Sequence, residues 1–180
     1  TSQKLTLMKT SADSLKKSAD ALNDSSIWEK KKIKKKDEKT GEEIEVEDYD
    51  WDKITKAVKS FVEDYNDVVK EAGESNTKDV LRNASWMTGM TDKNSNMLAK
   101  IGITIGKGNK LELDEDALKQ AYISSLKTVF TGYNSFVSKI SQKATGISNA
   151  ANRASATYTN NGTYSKTDSL LTSSKIDEEV

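Results

Sequence analysis

The 180-residue sequence contains no cysteine, no histidine and no proline. Without thiols or imidazoles it has no disulfide framework, thiolate nucleophile, common zinc site or histidine-based acid–base pair, so most familiar enzyme plans are excluded at the outset. The lack of cysteine suits either redox compartment. Proline is the residue that most readily ends helices, and its absence permits long uninterrupted helices anywhere. Apolar residues are also scarce, at 34%. Even with glycine added they fall short of the roughly 45–50% of compact globular chains, which predicts an elongated shape with narrow apolar seams. Charge of one sign is missing too: Lys+Arg and Asp+Glu number 28 each, so no overall field favours nucleic acid or an anionic membrane. No apolar run approaches the roughly 20 residues of a membrane span, and Thr1 to Thr10 lacks the basic-then-apolar pattern of an export signal.

The length suits one ordinary domain, and a heptad pattern organises it. Leu5, Met8, Ala12, Leu15, Ala19 and Leu22 alternate at three and four residues, with lysines and aspartates between them. The same alternation returns at Ile54, Val58, Phe61, Tyr65, Val68 and Ala72, and at Val137, Ile140, Ala144, Ile147, Ala151, Ala154 and Tyr158. These segments are predicted to pack along one another as an antiparallel coiled coil or bundle. Past Tyr158 the pattern dissolves, and 159–180 is expected to be a mobile C-terminal tail.

A charged insertion, 29–52, separates the first two helices. It opens with Lys30, Lys31, Lys32, Lys34, Lys35 and Lys36 and closes with Glu42, Glu43, Glu45, Glu47, Asp48, Asp50 and Asp52. Lys39 to Glu42 reads as a turn, so the flanks form either a β-hairpin whose arms attract each other or a solvated loop. The tethered acidic block is a closer partner for the lysines than any nucleic acid. Trp28 and Trp51 flank this segment, where they can clamp its base.

A third helix is expected from Thr77 to about Met87, ending near Gly89. Ile101 to Leu113 follows as a small hairpin, with its turn at Gly106 to Asn109. Asp114 then caps a helix carrying Ala117, Leu118, Ala121 and Tyr122, and a short helix with Leu126, Val129 and Phe130 stops at Gly132. The glycines around Lys107 are not a phosphate-binding loop, because a strand follows where a helix is required. Asp48, Asp50 and Asp52 are not a calcium loop, because Lys53 and Lys59 occupy the positions that need glycine and glutamate. No carboxylate pair stands out as catalytic. Phe61, Tyr65, Trp86 and Phe130 are expected in the core or in inter-helix packing, since they sit at helical spacing beside aliphatics.

The middle of the chain carries a further series: Phe61-Val62-Glu63-Asp64-Tyr65-Asn66, Leu98-Ala99-Lys100-Ile101-Gly102-Ile103, Asn109-Lys110-Leu111-Glu112-Leu113-Asp114 with Leu118 and Ala121, and Val129-Phe130-Thr131-Gly132. In order and spacing it resembles the C-terminal half of the flagellar hook-associated protein 2 family, the bacterial filament cap. The resemblance covers Ile54 to Gly132. It implies a helical stalk domain with Ile101 to Leu113 as its hairpin, terminal helices in coiled coils, flagellin or other axial proteins as partners, self-association, and export without a cleaved signal. The chain departs from the family where β-rich outer domains are expected, since only 29–52 occupies that place; a form lacking those domains is therefore expected.

Together these readings give a mainly α chain, an elongated antiparallel helical bundle or coiled coil with one small β-hairpin, in a single domain over 1–158. The expected role is that of a non-enzymatic structural protein, extracellular, in a bacterial flagellum or secreted, without cofactor, metal, nucleic acid or membrane. Leu5, Met8, Leu15, Leu22, Ile140 and Ile147 are the candidate assembly interface. The rival reading is a helical binding module that docks a partner through Lys30 to Lys36.

Overall fold

The three heptad seams become the three longest helices. The structure, a computed structural model, describes the backbone of residues 2–164 and the side chains of residues 2–157. In chain order it comprises α1 (Ser2–Leu22), a 3-10 turn (Ser25–Trp28), β1 (Lys31–Lys36), β2 (Glu43–Asp48), α2 (Trp51–Gly73), α3 (Lys78–Lys93), α4 (Ser95–Ala99), β3 (Ile103–Ile105), β4 (Leu111–Leu113), α5 (Glu115–Gln120), α6 (Ile123–Phe130) and α7 (Phe136–Tyr164). The fold is mainly helical, with two small antiparallel sheets, β1–β2 and β3–β4. The expectation of one hairpin is corrected to two, because the charged insertion is itself paired strand.

Heptad spacing puts its residues on one face of each helix, and those faces meet. Every predicted seam residue of α2 is buried, as are all those of α1 except half-buried Leu5. On α7, Val137, Ile140, Ala144, Ile147 and Ala151 are buried and Ala154 is half-buried, while the Tyr158 side chain lies outside the described residues. Polar bonds fix the direction of packing. Ser148 Oγ donates to Asp13 at 2.6 Å and Ser141 Oγ to Asp20 at 2.7 Å, so α1 and α7 run antiparallel. The two bonds are one heptad apart on both helices. Ser18 Oγ donates to Asp64 at 2.8 Å and ties α1 to α2.

The α3 helix also runs antiparallel to α7. Arg153 lies 3.9 Å from Asp79, Lys143 sits 4.7 Å above the Trp86 ring, and between them Gly146 approaches Asn83 so closely that a Cβ would collide with it. Trp86 is thus on the surface, 54% exposed, and of the core and inter-helix positions open to it takes the inter-helix one. Its face of α3 points past α7, and the lysine covers the ring instead. Gly89 does not end α3. Nearby Thr91 is buried, donating to Met87 O at 2.9 Å and accepting from Tyr65 Oη at 2.8 Å, and this network anchors the turn beyond the glycine. The α5 helix stops at Gln120 with Ala121 extended, so Tyr122 falls outside it and is exposed. The α7 backbone continues to Tyr164, beyond the expected end of the pattern at Tyr158; the rest of the expected tail, 165–180, lies outside the described residues.

The β3–β4 hairpin is held by two devices. Gly102 has φ +91°, and a Cβ there would stand 2.7 Å from Asp114 O and 3.0 Å from Leu118 N. Only glycine fits both the angle and the approach. Asn66 Nδ2 donates to Leu111 O at 2.9 Å while its Oδ1 accepts from Leu111 N at 2.7 Å, pairing the strand edge as another strand would. Asn23 clamps Gly132 in the same two-bond fashion, at 3.2 and 2.9 Å. Gly108 and Asn109 supply the positive φ of the turn, and Asp114 caps α5 through Ala117 N at 3.1 Å.

Candidate functional site

The charged hairpin is the feature the helical core does not absorb, and the core is built to hold its base. Trp28 is buried, stacks on Phe130 at 5.8 Å and donates from Nε1 to Leu22 O at 2.6 Å. Phe61 meets Phe130 and Phe136 edge-on, each at 6.3 Å. On the other side Trp51 opens α2 and contacts Tyr49 edge-on at 6.3 Å, while Asp50 caps that helix through Lys53 N at 3.1 Å. The two tryptophans therefore flank the base of the hairpin, as their sequence positions suggest.

Beyond that base, Lys31 pairs with Asp48, Lys32 with Glu47, Ile33 with Val46, Lys34 with Glu45, Lys35 with Ile44 and Lys36 with Glu43. The turn closes through Asp37 N to Glu42 O and Gly41 N to Asp37 O, each 2.7 Å, with Gly41 at φ +72°. Of the two readings of 29–52, the hairpin is thus the one adopted. Strand alternation gives it two unlike faces. Lys32, Lys34 and Lys36 oppose Glu47, Glu45 and Glu43 on one face. The other carries Ile33, Val46 and Ile44, of which Ile44 is exposed, framed by Lys31, Lys35 and Asp48.

Lys35 Nζ reaches Asp48 at 2.5 Å and Lys34 lies 3.7 Å from Glu43. The Lys35 hydrogen bond, followed by one from Tyr49 N–H, holds the Asp48 carboxyl below its usual range. Lys30 sits 5.6 Å above the Tyr49 ring. Among the described residues Lys31, Lys32 and Lys36 make no ion pair. No third strand pairs with either edge among the described residues.

The candidate assembly residues stand elsewhere. Met8, Leu15, Leu22, Ile140 and Ile147 are buried within the chain's own core, so their expected role as an intermolecular interface is corrected: α1 and α7 cover each other. Leu5 alone remains half-buried, lining with Lys4, Met8, Glu71 and Glu74 a cleft of about 160 Å³. No cluster of three or more potential metal ligands occurs among the described residues. No described helix is long and apolar enough to cross a membrane. No family model, curated protein or solved structure matches the chain.

Sequence reasoning missed the polar groups that set helix register. Asp13 and Asp20, and Ser141 and Ser148, each repeat at seven residues, and that period was available as a signal. Burial raises each aspartate's pKa, but hydrogen bonds from Lys9 and Ser148 to Asp13, and from Lys16 and Ser141 to Asp20, bring both below the usual range.

Proposed function

We propose that the chain is a non-enzymatic structural protein that works by assembly, an elongated antiparallel helical bundle similar to the stalk of the bacterial filament cap and acting outside the cell. The observation that carries this reading is the pairing of the first and last helices, α1 and α7, through two polar locks one heptad apart. Such a pairing builds a rigid rod out of the terminal segments, which is what an axial component requires. The small β3–β4 hairpin and the Asp114 cap that follows it support this reading. Because the seam residues from Met8 to Leu22 and from Val137 to Ala151 are already buried, contacts with flagellin or other axial proteins would use exposed side chains such as Tyr122 and Tyr133, 81% and 83% exposed.

Immunogold labelling of intact cells of the source organism, paired with a flagellin binding assay, tests the reading. Label at filament tips or hook junctions together with flagellin binding is the expected result. Label elsewhere and no affinity for flagellin would overturn it.

The second reading, a binding module acting through its charged arm, is favoured by one observation: neither edge of the hairpin pairs with another strand among the described residues. Replacing Lys30, Lys31, Lys32, Lys34, Lys35 and Lys36 by glutamine separates the two. Only the arm reading expects a large, salt-sensitive loss of partner affinity with flagellin contacts untouched.

A further inference from the structure

The β1–β2 hairpin carries opposite charge on its two edges, neither of which pairs with another strand among the described residues. The β1 edge is Lys-Lys-Ile-Lys-Lys-Lys and the β2 edge is Glu-Ile-Glu-Val-Glu-Asp. A two-stranded sheet offers one row of unpaired N–H and C=O groups along each outer edge. We propose that the β1 edge of one copy pairs antiparallel with the β2 edge of a second copy, extending the sheet head to tail. This rests on the reading of the chain as an assembly protein.

The argument is that the chain already makes this interface internally. Inside each hairpin the β1 and β2 sequences pair in a register that sets Lys32, Lys34 and Lys36 opposite Glu47, Glu45 and Glu43, and Ile33 opposite Val46. A second copy's β2, laid antiparallel on the free side of β1 in the same register, meets the same partners. Lys32 and Lys36 have no ion pair within the chain among the described residues, and neither do Glu45 and Glu47, so charge remains to be matched across the new edge. The apolar side chains Ile33, Val46 and Ile44 would align into one stripe across copies, supplying the packing that an isolated two-stranded sheet lacks.

Charge also decides against the alternatives. Two β1 edges would set five lysines against five, and two β2 edges four carboxylates against four, which direct like-charge opposition disfavours. A two-fold symmetric dimer through these edges is thereby excluded, leaving a heterologous contact that closes into a ring or runs on as a filament. A polyanion is the weaker occupant, because the acidic strand lies only about 4.8 Å from the basic one.

Sedimentation velocity of the full chain over a concentration series, at low and at high ionic strength, tests the proposal. The expected result is association that tightens with concentration at low salt and weakens about tenfold or more at high salt. A charge-swapped variant (K32E, K34E, K36E with E43K, E45K, E47K) keeps the pairing within its own hairpin. It should associate with itself but form no mixed oligomers with the wild type, read by energy transfer between labelled copies. A protein that stays monomeric, or mixed oligomers forming as readily as homotypic ones, would overturn the edge pairing. Should the swapped chain fail to fold, K32Q/K34Q/K36Q with unchanged circular dichroism serves instead: loss of association supports the proposal and undiminished association refutes it. These outcomes concern purified protein alone, so failure here is distinct from failure of surface labelling and flagellin binding, which bear on the assembly reading itself.

Discussion

Asn66 gives the most discriminating test of how the β3–β4 hairpin is held on the helices. Its side chain makes two bonds to one backbone residue, donating to Leu111 O at 2.9 Å and accepting from Leu111 N at 2.7 Å. Each is worth about 1 kcal/mol net, so Asn66→Ala should cost roughly 2 kcal/mol, or about 4–8 °C in Tm for a chain of this size. Amide exchange at Leu111 should quicken with it. Asn66→Asp separates the two bonds. The introduced carboxylate still accepts from Leu111 N but faces Leu111 O with no proton between them, so at neutral pH this variant should be no more stable than Asn66→Ala. Protonation restores a donor. The folded-state pKa of the introduced carboxyl is therefore raised, its contribution is fully present below the unfolded value of about 3.9 and is lost as pH rises through the folded value. Thermal melts from pH 4 to pH 8, each referred to wild type, should show the aspartate variant regaining stability toward acid while the alanine variant runs parallel to wild type. Parallel profiles for both, or an alanine variant with unchanged Tm, would refute the two-bond account.

Gly102→Ala forces a side chain into φ +91° and within 2.7 Å of Asp114 O; a loss of about 3 kcal/mol or more is expected, read as a fall in the denaturant midpoint. The Tyr65 hydroxyl is pushed up to about 12 by burial, offset in part by its bond to Thr91. The stability tied to its neutral form is complete below the ordinary tyrosine value of 10.0 and lost as pH rises toward 12, so one of the six tyrosines should ionise late in a 295 nm titration, and Tyr65→Phe should remove that late phase. Asp13 and Asp20 carry the opposite sign: with folded values below 3.8, their contribution is present above that pH and lost as acid titrates them. Asp13→Asn with Asp20→Asn should flatten the acid limb and cost about 1 kcal/mol per site at neutral pH, a modest figure because both carboxylates are half exposed.

Much of the helical fold was legible because period and burial are the same information in a heptad. The buried residues of α2 include every position that the three-and-four spacing selects, and the absence of proline left nothing to interrupt the long helices. Local turn chemistry was equally readable at Asp114, Gly108 and Asn109. What escaped had causes outside the local pattern. Gly89 reads as a stop, yet the Tyr65–Thr91–Met87 network, drawn from α2 and α3 together, anchors the following turn. Trp86 has helical spacing, but spacing cannot say which of two flanking faces meets α7. The asparagine clamps are invisible because each joins residues far apart in sequence, 23 with 132 and 66 with 111.

The same distinction governs the candidate site. A heptad seam announces that a helix has a partner without saying whether that partner belongs to the same chain. Once Met8, Leu15, Leu22, Ile140 and Ile147 are buried against one another's helices, the apolar seams of α1 and α7 cannot also join copies without unfolding the core. The hairpin differs in kind. A strand pair satisfies only one edge of each strand, so among the described residues KKIKKK and EIEVED each still present an unmatched row of backbone groups. Under the proposed edge pairing, copies would join through this edge with the helical core intact, and the charge on each edge would select the direction in which they join.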